Sequence, residues 1–283
     1  MKTILVPVDF TPTADNAISF AVQWSKVYGY EKIILLKSMY DSMFDDIIVS
    51  SDFMNVNQDY RERDRVETTR QLKVQYEELI YKVAPGLQVF FAVSEDPLLR
   101  AILQIIAEEK PRLLIIGSDH YHYSGNSFVG SNVISIAKIS PVHILIVPSH
   151  YQYKPVERAL VPVDFNTLDS LAKLDSYQAA TPFWKEKQLL VLNIDPEEKY
   201  HNKNEEFVDR ENSLHHYLKN FKHEIYYSNE KDIMNGIIEF SKKHDVQMIV
   251  ALPGSHSFLY LLTHKSISEA IYRNAKEPIL ILK

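Results

Sequence analysis

At 283 residues the chain exceeds an ordinary single domain and accommodates two of about 140. Hydrophobic residues at 46% and charged residues at 24% fit a globular protein with a full core, and a formal charge of −6 supplies no basic face for nucleic acid. With no cysteine, disulfides, thiolate chemistry and Cys-based zinc sites are excluded, and no run approaches the roughly 18 apolar residues of a membrane span.

The N-terminus, MKTILVPVD, has one basic residue and then an apolar run broken by Pro7 and Asp9, too short for a signal peptide. A cytoplasmic location is therefore expected, with no membrane partner. A strand is predicted over 2–8 and a helix over 15–27, where Ala17, Phe20, Ala21 and Trp24 recur at helical spacing. A strand over 32–38, a charged amphipathic helix over roughly 57–83 and a strand over 87–93 follow. Asp96-Pro97 then reads as an N-cap carboxylate with a proline at the first helical position, opening a helix that runs to Glu109. A strand over 113–117, a helix over 131–139 and a strand over 143–147 complete the first half. The basic runs at 61–65 and 185–187 are interleaved with Asp or Glu and read as solvated faces.

The pattern then repeats. Residues 4–10 read ILVPVDF and residues 159–165 read ALVPVDF; residues 141–147 read PVHILIV and residues 278–283 read PILILK. The first echo is offset by 155 and the second by 137, so a duplication is implied with deletions inside the second copy. The predicted domains are 1–149 and 156–283, divided where SHYQYKP separates two apolar runs. The second copy is read as strands over 158–163, 188–194, 223–227, 247–252 and 278–282, with helices over 168–180, 204–219, 232–244 and 266–275. Strand runs such as ILVPV, LLII and ILIV are apolar on both faces, as in a parallel sheet covered by helices on both sides. The fold class is α/β: two tandem doubly wound domains, each with a five-stranded parallel sheet.

In such sheets ligands lie beyond the carboxyl ends of the strands, where the winding reverses. With strands 1 to 3 wound one way and 4 and 5 the other, the crevice falls between strands 1 and 4, with Asp9 ending the first and Gly117 the fourth. The segment 117–131, GSDHYHYSGNSFVGS, holds three of the seven glycines, which marks it as a special turn. A glycine at a strand end permits close approach of a ligand or a positive φ. Gly130-Ser131 opens a helix whose free N–H groups and positive dipole end suit a phosphate, or it is simply a turn glycine with an N-cap serine. Asp9 reads equally as a ligand contact or as a cap for the next helix.

VPVDF on the first strand, Gly117 after LLII, and Gly130-Ser131 thirteen residues later before a short helix resemble the universal stress protein family, over nearly the whole chain twice. Its nucleotide-binding members carry Gly, two residues, Gly, nine residues, then Gly-Ser or Gly-Thr. This sequence matches at Gly117, Gly130 and Ser131 and departs at the second glycine, where His120 stands. The resemblance implies ATP, taken with Mg²⁺, in the first-copy crevice. Pro7, Asp9 and Gly117 would line base and sugar; Gly130, Ser131 and the N–H of Asn132 would hold phosphates, and His120 when protonated would add a donor. In the second copy Leu252, Ser255 and Lys265-Ser266 occupy the glycine positions, so it reads as degenerate and structural, although Asp164 survives.

No Walker loop, GxGxxG or GxSxG motif occurs, and no residue is predicted as nucleophile or general base, so no catalytic residue is assigned. The residues 119–122, Asp-His-Tyr-His, lack a third ligand and read as a polar loop, and no metal site is predicted; His215 and His216 diverge on a helix. The Met- and Phe-rich segment 40–59 reads as packing over the sheet edge, a lid, or a surface for a protein partner. The apolar final strands of the two copies would be exposed edges unless they pair with each other, giving an internal pseudo-dimer and leaving a homodimer open. Two functions are expected from these features: a nucleotide-binding stress-response regulator without fast turnover, or an interaction module whose pocket has decayed.

Overall fold

The computed structural model describes residues 1–40, 51–80, 85–118, 132–180, 184, 186–201, 204–252 and 276–283. The first half runs β1 (Thr3–Pro7), α1 (Pro12–Tyr28), β2 (Lys32–Ser38), α2 (Ser51–Ile80), β3 (Gln88–Ser94), α3 (Leu98–Glu109), β4 (Leu113–Ser118), α4 (Val133–Ile139) and β5 (His143–Pro148). The second runs β6 (Arg158–Val163), a 3₁₀ turn (Leu168–Leu171), α5 (Ala172–Ala180), β7 (Gln188–Ile194), α6 (Glu205–Tyr217), β8 (Lys222–Ser228), α7 (Ile233–Lys243), β9 (Met248–Ala251) and β10 (Ile279–Ile281). The helix expected over 266–275 lies outside the described residues.

The ten described strands form one sheet in the order β3-β2-β1-β4-β5-β10-β9-β6-β7-β8. Each half is parallel throughout, wound outward in both directions from its first strand. Among the described strands, the two half-sheets join where β5 meets β10, antiparallel, with Leu145 opposite Leu280. Registers also correspond: Ile4 sits beside Leu113, and Ala159 beside Met248.

The two sheet faces carry separate cores. Leu5, Ile34, Leu114, Ile116 and Ile144 point to α3 and α4, with α7 on the same face further along. Ile4, Val6, Ile115, Leu145 and Val147 point to α1, and the same core continues to α5 and α6. Both faces of the strands are therefore buried, which is why the strand runs are continuously apolar instead of alternating.

Local chemistry sets the helix ends. Pro12 stands in the first turn of α1, the Thr11 hydroxyl accepts from the Ala14 N–H, and Gly29 ends the helix at φ 66. Asn204 and Asp232 cap α6 and α7 in the same way. The expected cap at Asp96 is corrected: Pro97 itself is the N-cap of α3 and no side chain caps the helix. The Asp96 carbonyl instead accepts from the buried Ser38 hydroxyl, tying the end of β3 to β2. The helix read from 168 begins as a 3₁₀ turn and becomes α-helical only at Ala172.

The unequal repeat offsets have one source. β6 begins 155 residues after β1 and β7 begins 156 after β2, but β8 begins only 134 after β3, 222 against 88. The missing residues thus fall in the crossover between the second and third strands of each half. There the 30-residue α2 is matched by the 13-residue α6.

Aromatic rings pack across the seam between the halves. Trp24 of α1 lies 4.1 Å from Tyr28, Tyr28 lies 6.5 Å from Trp184, and Trp184 lies 5.8 Å from Tyr177 of α5, measured between ring centroids. Tyr177 meets the His143 ring edge-on at 4.9 Å, and His143 Nδ1 accepts from the Lys283 N–H. Burial, then the nearby charges of Lys173 and Arg112, lower the His143 pKa from 6.5 to about 4. Its neutral form is favoured in the folded state, so this contribution is complete above pH 6.5 and is lost as pH falls toward 4. Thermal unfolding of the wild type is expected to show the loss, at most about 2 kcal/mol once partial exposure is discounted. In His143→Gln the drop between pH 6.5 and 4.5 should be measurably shallower. An identical pH profile in the two proteins would remove His143 from the account.

Candidate functional site

The winding reverses between β1 and β4 in the first half, and between β6 and β9 in the second. Pro7 is the last residue of β1 and is buried in register with Leu36. Asp9 lies two residues beyond. Gly117 is the next-to-last residue of the neighbouring β4, and because β1 and β4 are parallel both groups stand at the same end of adjacent strands. Asn132 immediately precedes α4, whose chain then returns as β5 beside β4, so it lies at that end as well. His120, Gly130 and Ser131 lie outside the described residues.

The residues that are described also hold the first half together. One oxygen of Asp9 accepts from the Thr11 hydroxyl at 2.6 Å and from the Thr11 N–H at 3.3 Å, while the Thr11 hydroxyl caps α1. The carboxylate thereby fixes the turn that launches the helix. The turn is tight enough to place Phe10 at φ 61, an uncommon region for a side chain of that size, with the Lys37 ammonium over its ring at 5.0 Å. At Asn132, the N-cap of α4, no side-chain cap bond is made.

Of the two roles its position suggested, a positive φ is overturned at Gly117, and packing adds a further reason for glycine. Its φ is not positive. A Cβ there would lie 2.6 Å from the Thr13 carbonyl oxygen and 2.7 Å from the Thr13 methyl group. Glycine lets the first turn of α1 settle directly on β4, and that packing requires it whether or not a ligand approaches.

The second half repeats the turn with altered chemistry. Asp164 accepts from the Asn166 N–H at 2.9 Å and from the Asn166 side-chain amide at 2.8 Å. A cavity of about 300 Å³ opens beside it at the carboxyl ends of β6 and β7, under the first turn of α6. Its lining includes Asp164, Asn193, Asn204, Glu206, Phe207 and Arg210. This is one strand removed from the reversal between β6 and β9. Asn193 went unrecognised in the sequence, although an amide near the end of the apolar run QLLVLNI is itself a signal. Arg210 gave no such signal, because it reaches the cleft only through the seating of α6 on the sheet.

Among the described residues no group of three or more His, Asp or Glu side chains is placed to hold a metal ion, and no helix is long and apolar enough to cross a membrane.

Comparison with known proteins agrees with the architecture. A universal stress protein from Archaeoglobus fulgidus DSM 4304 is similar over 99% of this chain and 98% of its own, at 15% identity and a TM-score of 0.60. A functionally unknown protein from Pseudomonas aeruginosa PAO1 is similar over 100% of this chain and 92% of its own, at 13% identity and a TM-score of 0.58. At such identities the likeness shows the fold alone. No curated protein matches the chain. The model of the universal stress protein family matches residues 1–148, just over half the length, and the chain belongs to that family.

Proposed function

We propose that this protein is a stress-response regulator that binds ATP or a related nucleotide in its first half without fast turnover. The observation that carries the reading is the meeting of Asp9 and Gly117 at the carboxyl ends of adjacent strands where the winding reverses, the place such sheets offer a ligand. Pro7 and Asp9 would meet base and sugar. Gly130, Ser131 and the N–H of Asn132, ahead of α4, would supply donors to phosphates, with His120 alongside, and the nucleotide would be taken with Mg²⁺. The halves 1–149 and 156–283 are two copies of one domain, supported by their matching registers and by the seam through β5 and β10, an internal pseudo-dimer.

Calorimetric titration with ATP and Mg²⁺ tests this on the wild type and on Gly130→Asp. Heat of binding is expected in the first and none in the second, because a carboxylate would stand where phosphate donors converge. Silence from both at millimolar nucleotide would overturn the reading in favour of an interaction module. Linear phosphate release well above the blank would contradict slow turnover.

A further inference from the structure

Two imidazoles meet where α6 turns into β8. Glu211 and His215 are four residues apart on α6 and share a helix face, while His223 and Tyr227 are four apart on β8 and share a sheet face. Helix and strand therefore touch in two rungs. In one, the Tyr227 hydroxyl donates to Glu211 at 2.5 Å. In the other, His215 Nδ1 stands 3.0 Å from His223 Nε2. Residues 218–221 join the two elements, closed by a bond from the Phe221 N–H to the Leu218 carbonyl at 2.9 Å, so the second rung straddles a short turn.

That turn also decides a tautomer. His223 Nδ1 lies 3.0 Å from the Phe221 carbonyl, which can only accept, so Nδ1 carries the proton and Nε2 a lone pair. A backbone carbonyl orients metal-ligating histidines in this way. His215 Nδ1 faces the lone pair as a donor. By carrying its proton on Nε2 instead, the neutral His215 ring presents a second lone pair with no net loss of a proton. His215 is exposed and His223 half-buried, so one ring is open to solvent while the other is held by the turn. Both rings sit at the C-terminal end of α6, where the helix dipole favours a cation.

Spacing narrows the ion. With metal–nitrogen bonds of about 2.0 Å, nitrogens 3.0 Å apart subtend roughly 95° at the metal, near the 90° or so of a square-planar shell and short of a tetrahedron's ~109°. The ring centroids are 5.2 Å apart, nearly in line with the nitrogens, so the exposed His215 ring has to tilt for both lone pairs to converge. Copper stands highest in divalent affinity for nitrogen ligands and accepts this angle, whereas zinc favours the wider one. Among the described residues no third carboxylate or imidazole completes the set, which leaves the other positions to water and makes the ion exchangeable.

We infer that His215 and His223 form a two-histidine site for a divalent transition metal, Cu²⁺ above all, whose binding ties the end of α6 to β8. The site lies in the second half and is independent of the nucleotide proposed for the first.

Calorimetric titration of the full chain with Cu²⁺, in the absence of nucleotide, tests the assignment. One equivalent is expected to bind more tightly than the rest. His215→Gln and His223→Gln should each weaken that equivalent at least about tenfold, because the second imidazole binds as an intramolecular ligand. His216→Gln, on the neighbouring but diverging ring, should leave it unchanged. At half an equivalent of Cu²⁺, electron paramagnetic resonance should show two imidazole nitrogens on the metal in the wild type and one in either variant. His215 is exposed, so its variant keeps the test decisive if His223→Gln does not fold. Tight binding that survives both substitutions, an equal loss in His216→Gln, or tighter binding of Zn²⁺ than of Cu²⁺ would overturn the proposal.

Discussion

Leu145→Asp is expected to lower the denaturant midpoint far more than any surface change, by at least about 4 kcal/mol in stability, through a carboxylate buried in the seam. Leu145 is fully buried, belongs to the core under α1, and faces Leu280 across the antiparallel pairing that joins the two half-sheets. An unpaired charge there finds no water and no counterion. The halves should then unfold as separate transitions in urea, because the strand contact coupling them is weakened. Leu145→Val, which removes one methylene, should cost only about 1 kcal/mol and keep a single transition. A Leu145→Asp protein with the wild-type midpoint would show that the seam does not contribute to stability.

The second large effect belongs to Gly117→Val. Even an alanine Cβ would sit 2.6 Å from the Thr13 carbonyl oxygen, a backbone atom that cannot turn away, and valine adds two methyl groups to the same space. Either α1 lifts from β4 or β4 bends. The cost should reach about 3 kcal/mol or more, at the upper end for overpacking, read as a fall in thermal midpoint without any ligand. Gly117→Ala should cost less, in proportion to the smaller intrusion. If Gly117→Val kept the wild-type midpoint in the absence of ligand, glycine would not be there to seat α1. The result also disciplines the nucleotide test: lost binding in a Gly117 variant would follow from a displaced α1 as readily as from a lost ligand contact. Gly130→Asp is the cleaner probe for that reason.

Most of the scaffold was legible because burial on both strand faces leaves unbroken apolar runs, and ILVPV, KIILL and LLII could hardly be anything else in a doubly wound sheet. The α1 cap was legible only in part: its residues were in plain view, but the bond from Thr11 to Asp9 depends on the turn through Phe10. Asp96 misled because Pro97 at φ −50 holds the extended conformation of an N-cap and leaves the carboxylate outside the first turn, next to Arg100. The packing role of Gly117 was hidden for a longer-range reason. What demands glycine is Thr13, more than a hundred residues away, and one sequence does not show which helix lies over a strand. The cleft beside Asn193 was hidden similarly, since it exists only where the shortened crossover through α6 meets the ends of β6 and β7.

The union of β5 with β10 has one further consequence. Two separate chains held together by such strands would part on dilution, their pairing set by mass action. Here nine residues, 149–157, lead from β5 into β6, so the facing strands stay at an effective concentration fixed by the tether and not by the amount of protein present. The assembled form is therefore insensitive to expression level, and among the described strands the outer two, β3 and β8, are the ones with an unpaired edge.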